Sequence, residues 1–294
     1  MANLRLLVQR RKAVRNIRKI TRTMELIATA RFKKALDRAS EAEAYTRKIA
    51  EIAADLTGAG GDVTHPLLVV RPQVRRSLML VIGSNRGLCG GYNGGVLREG
   101  VRTLREMQAA NLPFDLEVAG KKVIAALRYQ QYARQAEYTQ FEDKPAFDQV
   151  EPLADKYIQL YVSGQVDRVQ VAYMKFLNAA RQVPVVETLL PLGSVADLKT
   201  AKPAVARAAL DYEYIPDATE ILNAIVPVAF KQRLFKCFLD AAVSEQIGRR
   251  VAMKAATENA ADLIKAISQK YNRARQAKIT KEISELIAGA EALK

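Results

Sequence analysis

Apolar residues recur every three or four positions near the amino terminus of the chain. They fall at Ala13, Ile17, Ile20, Met24 and Ile27, separated by four, three, four and three residues. Neither glycine nor proline occurs from residue 2 to residue 57. Heptad spacing of this kind is typical of a coiled-coil seam. It predicts a single helix over residues 1–57, about 80 Å long at the usual rise per residue.

The same spacing returns near the carboxyl terminus and predicts a second long helix over residues 217–294. Its stripe consists of Ala260, Ile264, Ile267, Tyr271 and Ala274, and after a slip of one residue it continues as Ile279, Ile283, Leu286, Ala290 and Leu293. Pro227 should kink or restart this helix.

Both long helices leave the middle of the chain, so they should pair antiparallel. Counting from that shared end places Asn3 opposite about residue 271. About twenty residues of the second helix would then extend as a single helix, some 30 Å long, beyond the pairing.

Between the two stripes, over residues 75–193, strand-like and helix-like segments alternate. The run 77–82 is continuously apolar and ends at Gly83, as in a buried parallel strand. Further strands are predicted at 116–119, 137–141, 168–176 and 185–190, with helices at 95–110, 122–132 and 150–163. This alternation is typical of a doubly wound α/β domain. Residues 194–215 have no clear periodicity and are interpreted as a linker.

The predicted fold is therefore α+β overall, a long antiparallel coiled coil of N- and C-terminal helices with an inserted Rossmann-like α/β domain. Its three parts are residues 1–57, 75–193 and 217–294.

Positive charge is concentrated at the two ends of the chain. Residues 1–34 contain eleven Lys and Arg and one acidic residue, and residues 249–281 contain nine and two. The ends therefore carry +10 and +7 of a net charge of +15, which leaves about −2 for the rest. Such a surface favours an acidic partner, nucleic acid or an anionic membrane face, with a merely solvated helix face as the alternative.

Residues that could carry chemistry are few. The glycine-rich segment 83–95 lies between a strand and a helix, where a phosphate loop would lie, but it lacks both common phosphate-binding motifs. We interpret it as a tight turn. Cys89 is expected to be a buried apolar residue. With two cysteines and one histidine, His65, the sequence predicts no disulfide framework, zinc site, cofactor or catalytic residue.

Nucleic-acid binding is the rival hypothesis. Arg273, Arg275, Lys278 and Lys281 alternate with Tyr271 on the second helix, as in a basic coiled-coil nucleic-acid-binding protein. A DNA-binding zipper, however, separates its basic region from its seam, whereas here the two share the same helices. We therefore do not expect nucleic acid as a partner.

Because the sequence lacks a membrane-spanning segment and a secretory signal, we expect a protein that neither crosses a membrane nor is exported. No run of 18 apolar residues occurs, and the N-terminus lacks a secretory signal. The Arg-rich segment 5–22 could suggest a transit peptide, but its pattern continues far beyond that length.

Four segments resemble the gamma subunits of rotary F-type ATP synthases. They are ITRTMELIA at 20–28, RGLCGGYN at 86–93, VAMKAATENA at 251–260 and, from residue 271, YNRARQ followed by ITKEISELIAGAEA at 279–292. The likeness covers nearly the whole chain.

The resemblance implies a non-catalytic shaft that turns inside a hexamer of alpha and beta subunits. It implies that Arg275, Gln276, Thr280 and Glu282 form an upper contact with beta, and that Met24 and Arg249 form a lower one. The region of Tyr212 and Tyr214 would face the c-subunit ring, and the epsilon subunit would dock on the α/β domain. The implied location is peripheral, on the cytoplasmic side of a bacterial inner membrane.

Overall fold

The structure, a computed structural model, describes residues 4–58, 65–141, 144–192 and 218–291. Two long helices flank the middle of the chain, α1 (Leu4–Gly58) and α5 (Ala218–Glu291). Their bounds agree with the predicted helices within three residues. Pro227 was predicted to kink or restart the second long helix; it lies inside α5, so a restart there is excluded. Val226 and Phe230 on either side of it are buried, and this packing holds the helix together despite the lost backbone hydrogen bond.

The middle of the chain forms a five-stranded sheet with the order β3-β2-β1-β4-β5. Its elements are β1 (Ser77–Ile82), α2 (Tyr92–Ala109), β2 (Phe114–Ala119), α3 (Lys121–Tyr129), β3 (Ala136–Tyr138), α4 (Phe147–Val162), β4 (Arg168–Asn178) and β5 (Arg181–Leu190). The first four strands are parallel, and β5 pairs antiparallel with β4.

Helices cover both faces of the sheet, as expected of a doubly wound fold. On one face Leu78 and Leu80 of β1 belong to a core with residues of α4 and α5. On the other face Met79 and Val81 pack with residues of α2 and α3. The alternation along β1 therefore serves two cores, which explains why all six of its residues are buried.

The chain divides into two compact units, and each long helix contributes to both. One unit comprises Met1–Thr29 with Arg249–Lys294, and the other is Ala30–Gly248. We call the first the paired-helix unit and the second the sheet unit.

In the paired-helix unit, the predicted seam of α5 is confirmed. Ala260 and Ile267 are buried, and the other three predicted positions are half-buried. The predicted seam of α1 is wrong, because Ile17, Ile20 and Ile27 are 52%, 60% and 47% exposed.

The side of α1 that is covered lies one position further along the chain. Its buried or half-buried residues keep heptad spacing and are Leu4, Leu7, Arg11, Val14, Thr21, Glu25 and Ala28. Thr21 lies against α5 through a hydroxyl–hydroxyl hydrogen bond with Thr257 of 2.9 Å. The Arg11 guanidinium lies 5.2 Å from the centroid of the Tyr271 ring. The seam therefore mixes apolar residues with polar ones such as Arg11, Thr21 and Glu25, and the isoleucines of the predicted stripe face outward.

The register differs from the predicted one by about one helical turn. Counting outward from the Thr21–Thr257 pair places Leu4 level with Ala274, whereas the predicted register placed it near residue 270. Every described side chain from Arg275 to Glu291 is exposed. This confirms that the end of α5 extends past the pairing without a partner in the described chain.

Candidate partner-binding surface

A row of cations follows α1 in the paired-helix unit. They line an open groove and are Lys12, Arg15, Arg18, Lys19 and Arg22, with Thr257 and Ile264 of α5 on its other side. The Glu25 carboxylate lies 2.9 Å from the Arg22 guanidinium and offsets one of these positive charges. The groove would attract carboxylates, and its field would fall off over about 8 Å at physiological salt.

The exposed end of α5 carries the four predicted upper-contact residues. Arg275, Gln276, Thr280 and Glu282 are all exposed. Gln276 and Thr280 are one turn apart on one helix face, and Arg275 and Glu282 are two turns apart on the neighbouring face. Glu282 lies 3.4 Å from Lys278, an exposed pair that contributes little stability. The structure therefore places these four polar groups on the exposed end of α5.

The predicted lower-contact residues are less accessible. Met24 is half-buried, and the Arg249 side chain is 6% exposed. Counting from the Thr21–Thr257 pair places Arg249 level with residue 29, about five residues along α1 from Met24. Tyr212 and Tyr214 lie outside the described residues.

The glycine-rich loop after β1 is held by its own side chains. Asn93 accepts the backbone N–H of Ser84 at 3.0 Å, and its amide donates to the Ser84 hydroxyl at 2.7 Å. The Ser84 hydroxyl in turn donates to the Arg86 carbonyl at 2.7 Å. Cys89 is buried, as predicted. These polar groups bond with each other inside the loop, in agreement with the interpretation as a tight turn.

Two glycines, one at the start of this loop and one just before α3, permit a close backbone approach between neighbouring segments. A Cβ atom on Gly83 would lie 1.9 Å from a methyl group of Val123. Gly120 has a φ of +106°, and a Cβ atom there would lie 2.3 Å from the Gly83 carbonyl oxygen. Glycine is required at both positions, since a side chain would separate β1 from α3.

Two buried polar clusters in the sheet unit escaped the sequence analysis. The Glu117 carboxylate on β2 accepts hydrogen bonds from Tyr138 and Tyr157, both at 2.8 Å, and pairs with Lys156. Asp167 pairs with Arg71 and accepts the backbone N–H groups of Arg75 and Arg76. An acidic residue inside an apolar strand is the signal that could have indicated Glu117.

Neither a metal site nor a membrane span is found among the described residues. No cluster of three His, Cys, Asp or Glu side chains in the described ranges could hold a metal ion. None of the helices in that part of the chain combines the length and apolar character needed to cross a bilayer.

Known proteins resemble this chain over its full length. The family described as ATP synthase matches residues 3–293. The ATP synthase gamma chain of Rhodopirellula baltica is 50% identical over 294 residues, which cover 100% of this chain and 99% of that protein. The ATP synthase gamma chain of Leptospira biflexa is 36% identical over 293 residues, covering 100% of both.

Two solved structures share the fold. A chain of the Euglena gracilis mitochondrial ATP synthase, in a structure of OSCP, F1 and the c-ring, aligns with a TM-score of 0.64 at 18% identity. The alignment covers 99% of this chain and 94% of that one. A chain of the Tetrahymena thermophila mitochondrial ATP synthase central stalk and c-ring aligns with a TM-score of 0.55 at 22% identity, covering 81% and 99%. With the sequence matches, these findings place the chain in the ATP synthase gamma chain family.

Proposed function

We propose that this chain is the central rotor shaft of an F-type ATP synthase. As a non-catalytic subunit, it would couple ion-driven rotation of the membrane c ring to conformational cycling of the catalytic beta subunits. The observation that carries this proposal is the 50% identity to a gamma chain along the whole sequence. The exposed end of α5 and the basic groove support it, because both are surfaces suited to partner subunits.

The physical requirement for such a shaft is a surface that differs around its axis. A rotating body shifts the populations of its neighbours only if it binds their conformations with different affinity in each orientation. In the paired-helix unit, Ile17 and Ile20 form an apolar stripe on α1, while Lys12, Arg15 and Lys19 line a basic groove. Rotation would bring these unlike surfaces past each beta subunit in turn.

The contacts that we assign follow from the family motifs, and exposure supports them for the four residues near the end of α5. Arg275, Gln276, Thr280 and Glu282 would meet beta near the end of α5, and Met24 with Arg249 would meet it lower down. The segment containing Tyr212 and Tyr214 would face the c ring, and the epsilon subunit would dock on the α/β domain. The chain would act at the cytoplasmic face of a bacterial inner membrane, held there through the complex.

Reconstitution with alpha and beta subunits tests the function directly. We expect a complex with one copy of this chain for three alpha and three beta. Replacing Arg275 and Gln276 with Ala should weaken its assembly or slow its ATPase activity, while the fold remains intact. The loss should be about 1.5 to 3 kcal/mol for each hydrogen bond to a charged group.

A matched control is the replacement of Arg105 and Gln108 with Ala, because both residues are exposed on α2. It should leave assembly with alpha and beta unchanged. Failure of the unmodified chain to assemble would contradict the proposed function. Normal assembly and ATPase activity of the Arg275 and Gln276 variant would contradict only the assigned contact.

A further inference from the structure

The ligand crevice of the α/β domain lies at the glycine-rich loop. In doubly wound sheets, ligands bind outside the carboxyl ends of the strands, at the point where the strand order reverses. Here β2 and β3 follow β1 on one side of it, and the chain then crosses from β3 to β4 on the other side, so the order reverses between β1 and β4. The crevice is therefore bordered by the loop at residues 83–91, which follows β1, and by the end of β4.

In this chain α5 occupies that crevice. The Ser244 hydroxyl of α5 donates a hydrogen bond to the Met174 carbonyl of β4 at 3.2 Å. Four residues further on, a Cβ atom on Gly248 would lie 2.7 Å from the Cys89 carbonyl oxygen and 3.7 Å from the Cβ atom of Tyr92. The helix backbone thus lies directly against the loop, and only a hydrogen atom fits between them.

The loop is a rigid surface for the helix to rest on. Leu88 and Gly90 adopt left-handed conformations, with φ of 65° and 59°. The Asn93 amide holds both Ser84 and the Cys89 sulfur, the latter at 3.3 Å. On the neighbouring face of α5, Val243 and Ile247 pack with Ala35 and Ala39 of α1. The helix is therefore held by both a fixed loop and its neighbouring helix.

We infer that the glycine-rich loop is a seat for α5, and that Gly248 is a positioning residue that fixes the rotational setting of α5 on the α/β domain. This inference rests on the proposed function, in which rotation enters through the α/β domain and leaves along α5. The helix α5 is continuous from the seat to Glu291. The site that binds a ligand in related folds here binds part of the same chain.

Gly248→Ala is the variant that tests the seat, because the added methyl group would push α5 away from Cys89. Gly94→Ala is the matched control, since a Cβ atom on this neighbouring glycine meets no atom within 4 Å. Both variants are assembled into the complete complex in membrane vesicles. ATP hydrolysis and ATP-driven proton uptake are then measured on the same sample.

We expect Gly248→Ala to lower the ratio of proton uptake to ATP hydrolysis, because a Cβ atom 2.7 Å from the Cys89 carbonyl oxygen must displace the helix from its seat. Hydrolysis itself should stay near the unmodified level. Cys89 is buried and serves as a native reporter of the seat. Its alkylation, located by mass spectrometry, should be about tenfold faster once the helix is displaced. Gly94→Ala should change neither quantity.

Ser244→Ala provides a second route, because it removes the hydrogen bond to Met174 without adding an atom. It should lower the same ratio in the same direction, and it serves where Gly248→Ala fails to assemble. An unchanged ratio in an assembled variant whose Cys89 has become reactive would overturn the inference, as would an unchanged ratio in Ser244→Ala. Failure of the unmodified chain to restore coupled pumping would instead count against the proposed function.

Discussion

Asp167 joins the amino ends of two neighbouring parallel strands. It precedes β4 directly, and its carboxylate accepts the backbone N–H groups of Arg75 at 2.7 Å and Arg76 at 3.1 Å, just before β1. Arg71 completes the cluster through an ion pair and stacks over the Tyr161 ring at 4.7 Å. Burial acts to raise the pKa of Asp167, but the hydrogen bonds from Arg71, Arg75 and Arg76 outweigh it, so the pKa is lowered.

Asp167→Asn should therefore reduce both stability and its dependence on pH. A carboxyl group with a lowered pKa in the folded state stabilises the protein above its unfolded pKa, near 4, and loses that contribution as the pH falls through the folded value. The variant should lose about 1 to 3 kcal/mol at pH 7, because an amide cannot accept from all three donors. Its free energy of unfolding should then fall less steeply below about pH 4.

Urea unfolding at pH 7 and at several lower values measures both effects. Glu106→Gln is the control, since Glu106 forms an ion pair of 3.9 Å with Arg102 and both side chains are 65% exposed. Such a surface pair should contribute less than about 1 kcal/mol. Equal pH slopes for Asp167→Asn and the unmodified chain would show that Asp167 does not stabilise through its charge.

Buried acids such as Glu117 and Asp167 show what a sequence alone leaves open at this scale. Glu117 lies between two apolar residues of β2. Its hydrogen-bond partners are Tyr138 of β3 and Lys156 and Tyr157 of α4. No local pattern connects these positions. The cluster becomes visible only when the sheet order has placed β2 beside β3 and under α4.

At the scale of elements, the sequence pattern predicted which segments are helices and strands better than where they begin. The helix α2 was expected to begin at Gly95 but begins at Tyr92. Gly95 is therefore inside the helix, where a Cβ atom would lie 3.1 Å from the Met174 side chain. The strand β5 was expected from Val185 but starts at Arg181, since Pro184 is tolerated on an edge strand. In both cases a residue that usually ends an element is accommodated by tertiary packing.

The seam of α1 shows the limit of hydrophobic periodicity. Two heptad stripes lie side by side on this helix, and the more apolar one, with Ile17 and Ile20, faces outward. The inner stripe contains more polar residues, and it is the one that packs against α5. There Thr21 bonds with Thr257, and Arg11 stacks on Tyr271. A stripe that binds another subunit looks the same in sequence as one that binds within the chain.

This assignment predicts opposite outcomes for two isoleucines. Ile267→Ala should destabilise the isolated chain by about 2 kcal/mol or more, because it opens a cavity at a buried seam position. Ile20→Ala should change stability by less than about 0.5 kcal/mol. Thermal unfolding followed by circular dichroism, with hydrogen exchange at residues 4–29 and 249–274, measures the difference. Similar losses for the two variants would mean that Ile20 is also covered within the chain.

At the scale of the whole molecule, charge and exposure together define the surfaces left for partners. The two ends carry +10 and +7, which accounts for the whole net charge of +15, and in the paired-helix unit the cations of α1 line a groove beside an apolar stripe. Composition alone favoured an acidic partner, nucleic acid or an anionic membrane face. It could not predict that an apolar stripe would lie next to the cations, because that depends on how α1 is rotated against α5.

The end of α5 provides the last prediction. From Arg275 to Glu291 every side chain is exposed, including Ile279, Ile283 and Leu286. A helix segment without tertiary contacts contributes little to the stability of its chain, yet an apolar stripe of this length is typical of a surface that another protein covers. Deleting residues 280–294 should therefore leave the thermal midpoint of the isolated chain within about 2 °C. The same deletion should lower the affinity of the chain for the hexamer of alpha and beta subunits.

Two full-length variants separate the roles of apolar contact and charge in this effect. Ile283→Ser combined with Leu286→Ser should reproduce most of the lost affinity, because it removes apolar area and leaves the helix its length. Lys281→Ala combined with Glu285→Ala removes only an exposed ion pair of 3.3 Å and should bind nearly as well as the unmodified chain. A large drop in the midpoint of the isolated truncated chain would show that the end of α5 packs internally. Unchanged affinity after truncation would show that the hexamer holds the shaft elsewhere, through the basic groove or the apolar stripe on α1.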